Sequence, residues 1–225
     1  MAISTIPLVA RAAGFLEQTA IIASEGSFSY GQLLKSSINL SSGLLDGASD
    51  LMGTRVAYLV PAGFDYVATL WGIWSAGGLA VPLCVTHPRP ELEYVIDDSR
   101  AAILIAHPTF ERSLRPIAET MGLRFALTNE LLNSPESTLP DVTIDRPAMI
   151  LYTSGTTGAA KGVVTTHANI QAQVTTLVSA WEWTADDHIL NTLPLHHVHG
   201  IINAMTCAFW VGATCEIQAS FEPDR

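Results

Sequence analysis

The sequence predicts an α/β fold, with mostly parallel sheets flanked by helices. Short apolar runs bounded by Gly and Pro alternate with segments whose apolar residues recur at helical spacing. Strands that alternate with helices favour parallel pairing, because each crossover returns the chain to the same end of the sheet. The 225 residues are 48 % hydrophobic and only 14 % charged, enough to fill a sizeable core, and nothing in them reads as disorder.

In chain order, residues 1–18 read as a short amphipathic helix, and 19–24 and 26–30 as strands about a turn at Glu25-Gly26. Ser29-Tyr30-Gly31-Gln32-Leu33 leads into a helix with Leu33, Leu34, Ile38 and Leu45 on one face and Gly47 as its stop. A strand over 55–60 ends at Pro61 and Gly63. The helix over 64–76 then buries Tyr66, Leu70, Trp71 and Trp74, read as core rather than as a ligand box. Gly77-Gly78 stops it, and 79–83 is a strand. The spacing gives a helix over 88–99 with Glu91 and Glu93 in its first turns, where negative charge suits the dipole. Strands over 101–106 and 123–128 flank a helix over 110–121 in which Pro116 is expected to kink or break the chain. Residues 129–146 are polar, without a period, and read as a connector. Met149, Ile150 and Leu151 look like a buried strand, and 163–166 like a second one. A helix over 168–183, a strand over 188–193, a helix over 200–212 and a strand over 213–217 complete the pattern.

The formal charge of −10 argues against nucleic acid or an anionic membrane as a general partner. Residues 66–86 carry no charge, but Gly72, Gly77, Gly78 and Pro82 interrupt them, so they read as a buried helix and strand rather than a membrane span. Cys84, Cys207 and Cys215 form a sparse, odd set without C-x-x-C spacing, which suggests buried thiols in a reducing compartment. The N-terminus lacks a basic region before an apolar core, so no secretory signal is read. The expected location is cytoplasmic, with organelle import left open.

The most informative stretch is Thr153-Ser154-Gly155-Thr156-Thr157-Gly158, closed by Lys161. Two glycines let the backbone turn tightly, successive amides in such a turn attract anions, four hydroxyls add donors, and Lys161 adds a mobile positive charge. Every part suits phosphate; the competing reading is a plain polar hairpin. It is not the usual P-loop, because Gly162 follows the lysine and a strand, not a helix, follows the loop. The loop is therefore read as a strand-to-strand clamp. Y-T-S-G-T-T-G-x-x-K-G resembles the signature loop of the adenylate-forming enzymes, which include acyl-CoA synthetases and luciferases. In that family the loop holds the β- and γ-phosphates of ATP. Ala160 stands where the family usually has proline. Ser29-Tyr30-x-x-Leu33 and the run from Trp74 to Leu83 resemble two further family motifs whose role is packing.

The second stretch is Leu193-Pro194-Leu195-His196-His197-Val198-His199-Gly200. Three histidines in four positions invite a metal, but no nearby Cys or carboxylate completes a site along the chain, and none is assigned. Histidines without a function are a second reading. The third is a wall of a pocket at the carboxyl edge of the sheet, where open α/β sheets bind ligands. The stretch resembles the family's P-x-x-H-x-x-G motif, with Pro194, His197 and Gly200 in the matching places and His196 where many relatives have an aromatic residue. His196, His197, His199 and Gly200 are thus implied to line an acyl and adenylate pocket. The octapeptide most resembles the malonyl-CoA synthetase branch, and a polar wall suits a second carboxylate.

The resemblance covers essentially residues 1–225 and implies the N-terminal portion of an AMP-binding domain. It implies an ATP-dependent acid–CoA ligase with Mg2+, a small carboxylic acid as substrate and CoA as co-substrate. The family's magnesium-binding glutamate and C-terminal lid lysine match nothing in this sequence, so the chain alone is expected to be incomplete for catalysis, and no catalytic residue is assigned. The alternatives are a medium- or long-chain fatty acyl-CoA synthetase, a non-catalytic nucleotide- or acyl-binding fragment, and an unrelated phosphate-binding domain.

Overall fold

The computed structural model describes residues 4–153 and 159–218. Among the described residues ten strands form two sheets: β1 (Thr19–Ala23), β2 (Gly26–Ser29), β3 (Arg55–Leu59), β4 (Leu79–Pro82), β5 (Ile103–Ala106), β6 (Arg124–Leu127), β7 (Pro147–Thr153), β8 (Lys161–Thr166), β9 (His188–Asn191) and β10 (Thr214–Ile217). The six-stranded sheet has the order β6-β5-β3-β4-β7-β8, and the four-stranded sheet β2-β1-β10-β9. All pairs are parallel except the two edge hairpins, β1 with β2 and β7 with β8. The predicted α/β class and mostly parallel pairing are thus found.

The helices are α1 (Pro7–Arg11), α2 (Tyr30–Leu45), α3 (Phe64–Ser75), α4 (Arg89–Asp98), α5 (Glu111–Met121), α6 (Thr128–Leu132), α7 (His167–Ala180) and α8 (Cys207–Val211). The start of α2 is written in its sequence: the Ser29 hydroxyl accepts from the Gln32 amide, and the Gln32 side chain accepts from the Ser29 amide. Helix α3 buries every residue but Asp65, so the charge-free stretch is core. No helix among the described residues is long and apolar enough to cross a membrane. The six-stranded sheet is covered on both faces. Val56 and Tyr58 of β3 join one apolar cluster with α2 and α3, while Ala57 and Leu59 join a second with α4 and α5.

Three local expectations are corrected. Of the kink or break expected at Pro116, the break is not found, because Pro116 sits inside α5 without ending it. A proline deprives the carbonyl four residues back of its partner, here Arg112, and both residues are exposed, so water can serve that carbonyl. The polar connector contains the short helix α6. The segment His199–Thr206 winds as a π-helix before α8, with the Thr206 hydroxyl bonded across the wide turn to the Ile201 carbonyl at 2.7 Å.

Candidate functional site

The signature loop joins two paired strands. β7 and β8 are antiparallel and in register from Tyr152 opposite Gly162 to Thr153 opposite Lys161, so these residues form the last rungs below the loop. Ser154, Gly155, Thr156, Thr157 and Gly158 lie outside the described residues. The strand-to-strand placement excludes a strand–helix P-loop. Gly162 is needed where it stands, because a Cβ there would lie 2.8 Å from Ile150 Cγ2. The returning leg is held from outside: the Tyr94 hydroxyl of α4 donates to the Ala160 carbonyl at 2.7 Å, and Tyr94 meets Tyr152 edge-to-face. Tyr152 in turn donates to Asp98 at 2.6 Å. At the base, the buried Trp74 indole of α3 donates to the Ala148 carbonyl of β7 at 2.7 Å.

The histidine loop follows the carboxyl end of β9. Buried Asn191 staples it at both ends, accepting from the Leu193 amide and donating to the Gly200 carbonyl, each at 3.1 Å. Gly200 must lack a side chain, since a Cβ would lie 2.8 Å from the Pro194 carbonyl oxygen. A relay of hydroxyls anchors the loop to the other sheet: Tyr58 lies 2.8 Å from Tyr66, and Tyr66 donates to the Leu195 carbonyl at 2.5 Å. Burial raises the pKa of both phenols well above the ordinary tyrosine value, so both stay neutral donors.

These two constellations border one cleft of about 610 Å³, lined by Leu83, Cys84, His87, Tyr94, Tyr152, Ala159, Ala160, His196 and His197 among others. His196 and His197 lie ring to ring, 4.0 Å between centroids. Desolvation, with His197 and His87 nearby, pulls the pKa of His196 down to about 4, so it is a neutral imidazole at physiological pH. His199 does not line this cleft; it faces Asn203 at 3.2 Å, which meets Gln173 of α7. Gly200 is buried beneath the loop rather than in the cleft wall.

Sequence reasoning missed Cys84, His87 and Tyr94, which also line the cleft. Cys84 and His87 have C-x-x-H spacing directly after the carboxyl end of β4, a signal that was available. The cysteine absent near His196 along the chain is present beside it in space: single donor atoms of Cys84, His87 and His196 all lie within 4.8 Å of one another. Magnesium takes oxygen ligands. The one cluster among the described residues with the geometry to hold a metal offers sulfur and nitrogen, so it does not fit that ion.

The sequence matches the AMP-binding enzyme family over residues 8–225. It is 40 % identical to the mitochondrial malonate–CoA ligase ACSF3 of Xenopus laevis, covering 97 % of this chain and 40 % of that protein. It is 36 % identical to the malonate–CoA ligase of Arabidopsis thaliana, covering 91 % and 38 %. Of solved structures, ATP-bound MatB from Rhodopseudomonas palustris aligns with a TM-score of 0.86 at 26 % identity, over 98 % of this chain and 46 % of that one. The chain spans about 40 % of the length of the curated relatives it matches. A match that runs through nearly every residue, on a fold shared with MatB and with the signature loop between paired strands, establishes that this chain belongs to the AMP-binding enzyme family.

Proposed function

We propose that this chain is the N-terminal portion of an ATP-dependent malonate–CoA ligase. The observation that carries the reading is the convergence of the signature hairpin and the His196-His197 pair on one cleft. The identity to malonate–CoA ligases of an animal and a plant supports the choice of acid. In this reading residues 153–158 and Lys161 hold the β- and γ-phosphates of ATP. Their amides, hydroxyls and ammonium supply the local positive field that an acidic chain otherwise lacks. A malonate carboxylate oxygen attacks the α-phosphorus, pyrophosphate leaves, and the CoA thiol then displaces AMP from the acyl-adenylate. His196 and His197 serve as donors to the acid and keep water-like polarity in a wall that would otherwise be apolar. His199, outside the cleft, has at most an indirect part through Asn203. The buried, unpaired cysteines suit a reducing interior, either cytoplasm or organelle, and the vertebrate relatives are named as mitochondrial.

Removing the ammonium with Lys161→Ala is expected to weaken ATP binding by about 10- to 100-fold, the worth of one charged hydrogen bond to phosphate. AMP binding should hardly change, because the lysine serves the outer phosphates. Titration calorimetry with both nucleotides tests this, and an unchanged ATP affinity would show that the loop is idle. For the acid, malonate should raise the melting temperature of the ATP-bound chain more than octanoate does. The reverse order would favour a fatty acyl-CoA synthetase.

A further inference from the structure

Two side chains that line the cleft have no assigned part in binding nucleotide or acid, Cys84 and His87, and they stand beside the proposed pocket donor His196. Cys84 follows β4, His87 precedes α4, and His196 comes from the loop after β9, so three separate segments deliver one donor each. We propose that Cys84, His87 and His196 form a binding site for a borderline-soft divalent cation, Zn2+ above all, with its fourth position open to the cleft.

Thiolate and imidazole are the donors zinc prefers, and three protein ligands with one open position is an arrangement zinc adopts at sites that admit an external ligand. A tetrahedral zinc with these ligands holds its donors about 3.5 Å apart. The three donors already lie within 4.8 Å. Closing the site needs roughly an ångström of side-chain movement, which the partly exposed His87 can supply. Glu91, one turn along α4, faces His87 Nδ1 at 3.3 Å. That contact favours a proton on Nδ1 and leaves the Nε2 lone pair for the metal, the usual support of a zinc-bound histidine by an outer carboxylate. Cys84 is buried and His196 half-buried, so neither must be drawn from bulk water to meet the ion. Because the open position faces the cleft, a bound ion sits where the acid and adenylate are proposed to lie, and Zn2+ should compete with them. The binding itself does not depend on that functional reading.

The test uses the tag-free chain and Co2+ as a spectroscopic stand-in, followed by Zn2+ displacement. Stoichiometric binding with an intense thiolate-to-cobalt band in the near ultraviolet is expected. Cys84→Ser should abolish the band and weaken Zn2+ binding by about 100-fold or more, and Glu91→Gln by about tenfold. His87→Ala should weaken it comparably to Cys84→Ser. Since His87 is partly exposed, that variant remains decisive if Cys84→Ser fails to fold. His188→Ala, at a surface histidine elsewhere, should bind as the parent does. Absence of stoichiometric binding, a bound cobalt without the thiolate band, or an affinity indifferent to His87→Ala would each overturn the proposal.

Discussion

Trp74→Ala is expected to lower the unfolding free energy by about 4–5 kcal/mol, a large share of what holds an ordinary domain together. The indole is 1 % exposed and packs edge-on against His167. Its removal opens a cavity between α3 and α7 and also strips the Ala148 carbonyl of the only bond the indole provides. The two contributions separate by substitution. Trp74→Phe keeps most of the packing and loses the hydrogen bond, and should cost about 1–2 kcal/mol. Equilibrium urea unfolding of both variants measures the difference. Equal losses for Phe and Ala would mean that the hydrogen bond, not the packing, dominates. A loss for Ala below about 2 kcal/mol would show that the site collapses around the missing ring.

Acid should act strongly at the ring that packs against Trp74, His167. Burial, with Arg146 nearby, pulls the pKa of His167 down from 6.5 to about 4. The folded state therefore binds its proton less readily than the unfolded chain does. Between pH 6.5 and about 4 the unfolded state holds more protons, so stability rises with pH across that window. The contribution is fully present above 6.5 and is lost as pH falls to about 4, in total about 3 kcal/mol. His167→Gln cannot titrate. Its stability should therefore fall less steeply than the parent's over this range, and the difference between the two curves isolates His167 from the carboxylates. Parallel curves would contradict the assignment.

Much of this was legible because the local signals agree with the tertiary structure. The capping box at Ser29, the paired glycines after α3 and the apolar runs of β3, β4 and β7 each specify the same element from neighbouring residues alone. The misreadings arise where something outside the segment decides. Pro116 is tolerated because its helix face is wet. The π-turn at His199–Thr206 is made of residues that also suit an ordinary apolar helix. α6 is too short to show a period. For the site, the signature loop could be recognised because its residues are contiguous. The rest of the cleft could not, since Cys84 and Tyr94, which follow β4, meet His196, which follows β9 of the other sheet, only in the folded chain.

The order of the strands has a consequence for biosynthesis. All strands of the six-stranded sheet lie between residues 55 and 166, so they leave the ribosome as one block. The four-stranded sheet joins the two ends of the sequence: Ile21 of β1 pairs with Cys215 of β10. At about 5–20 residues per second, the first hairpin waits on the order of 10–40 s for its central partner strand to be made. During that interval the edge carrying Ala20 and Ile21, wholly buried in the finished protein, stands open. Translation speed and chaperone access over that interval therefore bear on how much of the chain reaches the folded state.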